Sequence, residues 1–488
     1  MTIDLIAPLP WLILAPLAWA TLSFLLGPGR GSAIAIGGLL VQGALALMLA
    51  GQVIESGPQQ HAVGGWGAPL GIDLMADGLA AAMLLMTVAV ALPVAVYARG
   101  WFAARPAGAA WFWPLTGFLV AGLNGLFLSA DLFNIYVTLE ILGLAAVGLT
   151  AATGERRAVT AAMRYLLATL LGSGAYLMGV ALVYGTYGTV SLEPLAGLVG
   201  PLPITLLAAG LIVTGMLLKT ALFPLHFWLP PAHGGAATPV SALLSALVIK
   251  ASFYLVLRLW FGLFEPLVTI PFAQLLGALG AAAVIWGSIQ ALLQERLKML
   301  VAYSTVAQVG YLFLVFPLAT GTGSEAAAGA WQAGVLQAVA HALAKAAMFA
   351  AAGAMILAAA GDRMDRLGGI GAQVPVTLFS FGLAGIVIMG LPPSAGFAAK
   401  WLFLMSALES GQWWWALVLV IGGLLAAAYV FRVMLAAFAP VQEGGGAMER
   451  PRLARSLEWT ALVLALAGVV LGLFADRLLA LLGDGGFA

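Results

Sequence analysis

The sequence predicts an all-α polytopic membrane protein, and three observations indicate this class: the composition, the length of the apolar runs and the placement of the charges. Of the 488 residues, 63% are hydrophobic and 8% are charged, and the mean hydropathy is +1.07. Soluble domains carry about 25% charged residues. Most of the surface must therefore face lipid, and one membrane domain over 1–488 is expected instead of several soluble domains.

Apolar runs of about 20 residues, the length of helix that crosses the hydrocarbon core, recur along the whole chain. Helices are expected because an open strand edge cannot satisfy its backbone groups in lipid. The first run lacks the basic start and small-residue cleavage site of a removable signal peptide, so we expect it to be a span. Fourteen spans are predicted at 6–27, 32–54, 76–97, 111–129, 132–152, 158–184, 204–229, 236–260, 272–293, 299–318, 331–359, 375–409, 413–438 and 457–483.

The loops that alternate between these spans differ sharply in positive charge. An even number of spans puts both termini on one side, and that side holds two basic residues, Arg258 and Arg477. Because lysine and arginine concentrate in cytoplasmic loops, we expect a multi-pass protein of the cell (inner) membrane with both termini on the outer, periplasmic side. The opposite loops hold 14 of the 20 basic residues: Arg30, Arg99, Arg105, Arg156, Arg157, Arg164, Arg296, Lys298, Arg363, Arg366, Arg432, Arg450, Arg452 and Arg455.

Five ionisable residues remain inside the apolar spans, namely Glu140, Lys219, Lys250, Lys345 and Lys400. Such residues are expensive at bilayer depth and indicate a functional site by default. A buried lysine, unlike an arginine, can release its proton. Glu140 beside a lysine would favour the charged forms of both, and loss of that pairing would favour proton release. Two interpretations stay open here: a line of proton-exchanging sites, or a fixed Glu–Lys pair that pins two helices together.

Proline interrupts the seventh and twelfth spans next to Lys219 and Lys400. Proline removes a helical hydrogen bond, which membranes tolerate where the freed backbone is buried or lines a wet cavity. Two broken spans lying five spans apart predict two inverted five-helix repeats, helices 4–8 and 9–13, with broken helices 7 and 12. The breaks are expected at Pro224, Pro230, Pro392 and Pro393. The expected segments are helices 1–3 in 1–110, the first repeat in 111–260, the second in 272–438 and the last helix in 457–483.

Other polar residues are weaker candidates. His341 and Lys345 are four residues apart and share a helical face, so His341 is either a relay step or a histidine hydrogen-bonded between helices. His226 follows the first break and could pass a proton toward the cytoplasm, whereas His233 is expected in the adjacent loop. Lys298 begins the tenth span, where it would be a proton-uptake or gating residue or a positive-inside anchor.

No cofactor or metal ion is expected. The chain has no cysteine and four histidines without clustered carboxylates, which gives no convincing metal site. There is no phosphate-binding Walker A sequence and no motif for quinone or haem. With a formal net charge of +1, no global field attracts nucleic acid.

Four segments are similar to the antiporter-like proton-conducting subunits shared by respiratory complex I, membrane-bound hydrogenases and multisubunit Mrp cation/proton antiporters. These segments are 219–233, 238–246, 297–311 and 390–397. The resemblance implies fourteen helices with two inverted repeats, and other membrane subunits of a hetero-oligomeric complex as partners. It also implies a proton path in the membrane plane formed by the Glu140–Lys219 pair, Lys250, His341, Lys345 and Lys400.

Within that family, 131–136 is more similar to the D subunit of Mrp antiporters than to the complex I members, and Lys400 stands where one complex I subunit has glutamate. Pro231 and the Glu295–Arg296 pair depart from the usual family pattern. The leading hypothesis is a proton-translocating subunit of a multisubunit monovalent cation (Na⁺)/proton antiporter, without redox chemistry of its own. The alternatives are a proton-pumping subunit of an NADH:quinone oxidoreductase or membrane-bound hydrogenase complex, and a scaffold for a transporting partner.

Overall fold

The structure, a computed structural model, describes residues 7–68, 71–440 and 453–483. Arg450 and Arg452, counted above among the basic loop residues, lie outside the described residues. Within those ranges the α-helices are α1 Pro8–Ser56, α2 Gly78–Ala104, α3 Ala109–Leu128, α4 Leu132–Ala151, α5 Arg156–Tyr187, α6 Leu192–Ala196, α7 Pro203–Thr220, α8 Leu229–Gly235, α9 Thr238–Leu243, α10 Ile249–Arg258, α11 Ile270–Leu293, α12 Leu297–Leu312, α13 Val315–Ala319, α14 Ser324–Ala358, α15 Pro375–Met389, α16 Ala395–Glu409, α17 Trp414–Phe438, α18 Arg455–Leu473 and α19 Ala475–Leu482.

The membrane spans agree with the predicted number. Twelve helices of the described ranges are long and apolar enough to cross a membrane. The 49-residue α1 contains two of the predicted spans, because the left-handed backbone of Gly27 (φ 75°) followed by Pro28 turns the chain there. Helices α15 and α16 together form one further, broken span. With α1 counted twice and this pair added, the described chain has fourteen spans, and the all-helical polytopic class is confirmed.

Two hydrogen bonds between loops join partners that are predicted to lie on the same side. On the side of the termini, the Ala130 N–H donates to the Asp73 carbonyl (3.2 Å). On the opposite side, the Gly369 N–H donates to the Ala439 carbonyl (2.8 Å). Both contacts agree with fourteen alternating spans.

Two local features differ from a purely α-helical prediction. A β-hairpin between α1 and α2 pairs β1 (Gln59–Ala62) antiparallel with β2 (Asp73–Ala76). This segment lies outside the spans, where backbone groups can be satisfied by water. The other feature is a pair of π-helical segments, Leu244–Val248 before α10 and Leu259–Leu263 after it, which make one continuous span of Thr238–Leu263.

The two repeats reproduce the same packing order. Helix α3 packs on α4 as α11 packs on α12, and α5 packs on α7 as α14 packs on α15 and α16. The most apolar windows of α14 and of the Thr238–Leu263 span are entirely buried, so the other helices surround these two. Both central spans carry predicted site lysines, which are thereby removed from lipid.

Helices 7 and 12 are broken as predicted. The first break separates α7 from α8, and the second separates α15 from α16. Pro224, Pro392 and Pro393 lie in the non-helical segments, whereas Pro230 lies in the first turn of α8. A proline is tolerated in a first turn because its missing N–H would have no helical partner there. Ser394 caps the restarted α16 by accepting a hydrogen bond from the Phe397 N–H (3.2 Å).

Candidate functional site

Glu140 and Lys219 form an ion pair between α4 and the last turn of α7. The Lys219 Nζ lies 3.6 Å from Glu140 Oε1 and donates to Thr169 Oγ1 at 2.7 Å. Ser173, one turn after Thr169 on α5, donates to the same Glu140 oxygen. The lysine side chain is 7% exposed and the glutamate 22%. Each charged group therefore has both an opposite charge and a hydroxyl partner.

Glycines bring α5 and α7 close enough for these contacts. A methyl group on Gly215 would lie 2.4 Å from the Gly172 carbonyl oxygen, and one on Gly172 would lie 2.8 Å from the Gly215 oxygen. Small residues permit such close approach of membrane helices. The two hydroxyls of α5 consequently reach the Lys219–Glu140 pair.

A small cavity extends from Lys219 toward the central span. It is lined by Thr169 and Lys219 on one side and by Val248 and Ser252 on the other. Lys250 lies between those last two positions in the sequence. The cavity thus separates the first lysine from the segment that carries the second.

Lys250 is completely buried beside a π-helical segment. Its Nζ donates to the Ser245 carbonyl oxygen at 2.5 Å. The Ser245 hydroxyl in turn lies 2.9 Å from Thr305 Oγ1 on α12. Single π-turns inside α-helices are frequent at functional sites, and this one connects Lys250 to the next repeat.

Lys345 meets the same stretch of α12 from α14. Its Nζ donates to Ser304 Oγ and to the Val301 carbonyl oxygen (3.3 Å). Thr305 Oγ1 donates to that same carbonyl at 3.1 Å. Lys250 and Lys345 are therefore joined by hydrogen-bonding groups of α12 and of the π-helical segment.

His341 lies one turn before Lys345 and is 1% exposed. Within the described residues, neither ring nitrogen has a hydrogen-bond partner. One alternative from the sequence is that His341 forms a hydrogen bond between helices. No such hydrogen bond is present in the described part of the chain.

Lys400 occupies the second break. Its Nζ donates to the carbonyl oxygens of Ile388 (2.9 Å) and Met389 (3.0 Å) at the end of α15, and lies 4.4 Å from the ring centroid of Tyr311. The last carbonyls of a helix have no intrahelical partner. The break thus supplies the acceptors, and the ring supplies a cation–π contact.

A polar face of α12 connects Lys345 to Lys400. Gln308, one turn after Ser304, donates to the Ile388 carbonyl at 3.4 Å and accepts from Gln337 Nε2 at 3.2 Å. Ile388 is the same acceptor that Lys400 uses. Polar groups on one face of α12 therefore lie between the contacts of Lys345 and those of Lys400.

The remaining candidates lie near the first break. Lys298 is 7% exposed: its Nζ donates to the Ala236 carbonyl, and its backbone N–H donates to Asp362 Oδ1 at 3.0 Å. His226 lies in the break, with its ring stacked on Phe223 at 5.5 Å between centroids. The prediction that His233 lies in a loop is wrong, because this residue is buried within α8.

Sequence reasoning misses the neutral members of this site. Thr169 and Ser173, like Ser304 and Gln308, are four residues apart, so each pair shares one helical face. This four-residue spacing of polar residues can be read from the sequence, and it indicates a polar helical face in each repeat. Nothing in the spacing identifies which lysine each face approaches.

Arg258, which the sequence places on the terminal side, forms an ion pair that sequence reasoning misses. This residue is 8% exposed at the end of α10, and its guanidinium contacts both carboxylate oxygens of Asp77 at 2.7 and 2.8 Å. Its Nε donates to the Tyr254 hydroxyl at 2.8 Å. Burial raises the pKa of Asp77, but the charge and hydrogen bonds of Arg258 outweigh it and hold that pKa below its usual range. The described chain therefore contains a second buried ion pair.

These features define a class: polytopic membrane proteins with broken helices and a line of buried ionisable residues. The family model described as "NADH:quinone oxidoreductase/Mrp antiporter, TM" matches residues 129–426, and the chain belongs to this family. The N subunit of NADH-quinone oxidoreductase from Desulforudis audaxviator (strain MP104C) is 36% identical over 464 residues, which cover 91% of each chain.

Two further relatives represent the antiporter branch of the family. The chain is 28% identical to the D subunit of a Na(+)/H(+) antiporter from Bacillus subtilis (strain 168), over 90% of this chain and 86% of the relative. A chain in the structure of the Mrp complex from Dietzia sp. DQ12-45-1b superposes with a TM-score of 0.88 at 25% identity, covering 99% of this chain and 97% of that one. The family membership inferred from the four sequence segments is therefore confirmed.

Proposed function

We propose that this protein is a proton-translocating subunit of a multisubunit monovalent cation (Na⁺)/proton antiporter in the cell membrane, with both termini on the periplasmic side. The observation that carries the proposal is the placement of three buried lysines along α12: hydrogen-bonding groups link Lys250 to Lys345, and one turn further Gln308 shares the Ile388 carbonyl with Lys400. Lysines at this depth are costly. A purely structural role would not need three of them along one polar face.

The Glu140–Lys219 pair acts as the switch in this proposal. Closed at 3.6 Å, the pair stabilises the charged forms of both groups. When Glu140 moves away, the desolvated lysine transfers its proton through the cavity toward Lys250. His341 and Lys345 carry it onward, and Lys400 at the second break is the last lysine of the path. Lys298 and His226 are assigned to proton uptake or gating on the cytoplasmic side.

The relatives support the cation and the partners. The Bacillus relative is named as a Na⁺/H⁺ antiporter subunit, and the Dietzia structure is that of a complex. By this likeness, the protein functions next to other membrane subunits. The repeats at 111–260 and 272–438 would each contribute one broken helix to the shared path.

Replacing Lys219 or Glu140 by alanine tests the proposal. In inside-out vesicles that contain the whole complex, either variant should lose cation-driven proton exchange, while co-purification of the other subunits is unchanged. Full exchange by either variant contradicts the proposal. A variant in which all four buried lysines are replaced by methionine separates transport from scaffolding, because normal exchange would leave only a scaffold role.

The second candidate is a proton-pumping subunit of a redox complex, favoured by the 36% identity to a subunit named for NADH-quinone oxidoreductase. The same relay would then be driven by electron transfer instead of a cation gradient. Co-purification with a flavin or iron–sulfur subunit, and vesicle acidification on addition of NADH, would favour this candidate. Exchange driven by Na⁺ alone favours the antiporter.

A further inference from the structure

An open cleft of about 490 Å³ lies where α5, α8 and the start of α12 meet. The relay does not use it, because the cleft lies at the helix ends on the predicted cytoplasmic side. Its walls include four arginines together with Gly234 of α8 and Met299 of α12; the arginines are Arg156, Arg157, Arg164 and Arg296.

The cleft carries positive charge that the protein does not neutralise. Arg296 pairs with Asp362 at 2.9 Å. The other three arginines have no carboxylate partner among the described residues. Two of them, Arg156 and Arg157, lie in the first turn of α5, where no side chain caps the helix and the unsatisfied N–H groups add partial positive charge. Three guanidinium groups around one cavity match a phosphate group, which arginine binds in a bidentate manner.

An apolar stripe lies on the same helix, beginning beside Arg164. Met163, Leu167 and Leu171 follow one another at a spacing of four residues and are 51%, 64% and 68% exposed. The stripe lies within the span and is exposed on the described chain. A ligand that uses both surfaces has an anionic head and an apolar tail, and a free phosphate ion or nucleotide would leave the stripe unused.

We infer that this cleft binds the headgroup of an anionic phospholipid, with an acyl chain along the α5 stripe. Basic pockets between helices at the cytoplasmic boundary suit such headgroups. The volume also falls within the range of small-ligand pockets, about 300–1,000 Å³. Gly235 brings α8 against α5: a methyl group there would lie 3.3 Å from the Arg157 carbonyl oxygen. The bound lipid would therefore contact α8, the half-helix beyond the first break.

The test uses native mass spectrometry of the detergent-purified complex containing the full chain. The complex is incubated with phosphatidylglycerol or with phosphatidylcholine of the same acyl chains. This subunit is then released from the complex in the spectrometer, and the lipids that remain bound to it are counted. The test variant is R157Q/R164Q. The matched control is R30Q, because Arg30 is an exposed arginine at the kink of α1 on the same predicted side.

We expect phosphatidylglycerol to be retained over phosphatidylcholine by the wild-type protein and the R30Q control. In R157Q/R164Q its affinity should fall about tenfold or more, as expected for the loss of two arginines near an anionic headgroup. Equal retention in the test and control variants would overturn the inference. So would complete displacement of the lipid by inorganic phosphate, which would indicate a simple anion site. Lipid binding is measured without transport, so a negative result here would not bear on the proposed transport function.

Discussion

The two parts of the buried line differ in their counter-charges. In the paired region (Glu140, Thr169, Ser173 and Lys219), a lysine faces a carboxylate. In the unpaired region (Lys250, Lys345 and Lys400), each lysine contacts carbonyls, hydroxyls or a ring, and none has a carboxylate partner among the described residues.

This difference separates two tasks. A buried charge that meets an opposite charge is stabilised, whereas one that meets only neutral acceptors retains most of its desolvation cost. The paired region can therefore hold a proton until the pair opens. The unpaired region holds a proton weakly and suits transfer from one lysine to the next.

The largest effect is expected from removing the counter-charge. Glu140→Gln keeps the shape but leaves Lys219 with Thr169 alone, and should lower proton exchange about 100-fold or more, because an uncompensated buried charge costs about 3–5 kcal/mol. Proton exchange in vesicles is the measurement. Glu409→Gln, at an exposed position at the end of α16, is the matched control and should exchange normally. Normal exchange by Glu140→Gln would remove the distinction between the regions.

The Arg258–Asp77 pair provides a structural comparison, because arginine does not exchange its proton. Asp77→Asn should destabilise the protein by about 3 kcal/mol in detergent, since Arg258 stays buried without its partner. The pKa of Asp77 is lowered in the folded state. Its contribution is therefore present above its unfolded pKa and lost as the pH falls through the folded value. Unchanged thermal unfolding of Asp77→Asn would contradict this role.

Continuity of the unpaired region depends on Gln308. Gln308→Leu removes the amide that contacts the Ile388 carbonyl, and should slow exchange about tenfold, the effect of losing roughly 1–2 kcal/mol of hydrogen bonding. Gln290→Leu on the neighbouring α11 is the control. Equal rates in both variants would show that Lys345 and Lys400 communicate by another route.

The smallest effect is expected at Ser173, whose hydroxyl supports Glu140 without carrying charge. Ser173→Ala should slow exchange about fivefold, which corresponds to about 1 kcal/mol for one typical hydrogen bond, because Glu140 keeps Lys219 as its charged partner. Ser173→Thr, which restores the hydroxyl, should recover most of the rate. A rate of Ser173→Ala equal to that of Glu140→Gln would mean that the hydroxyl, and not the counter-charge, controls the pair.

Much of this architecture is predictable from residue patterns. Span length predicts fourteen helices, proline predicts both breaks, and the five ionisable residues at span depth are buried or half-buried in the membrane interior. The ion pair of Arg258 is missed by sequence reasoning because only the fold brings Asp77 to it. The α12 face is missed because serine and glutamine are common polar residues. Their importance depends on which lysine approaches them, which only the tertiary packing determines.

The most direct test of the central claim is the exchange rate of Lys219→Arg in the intact complex. Arginine keeps the positive charge beside Glu140 but cannot release its proton in a protein. If Lys219 is an exchanging site, this variant should assemble normally and lose exchange as completely as Lys219→Ala. Full exchange by Lys219→Arg would show instead that the pair is a fixed bridge between α4 and α7.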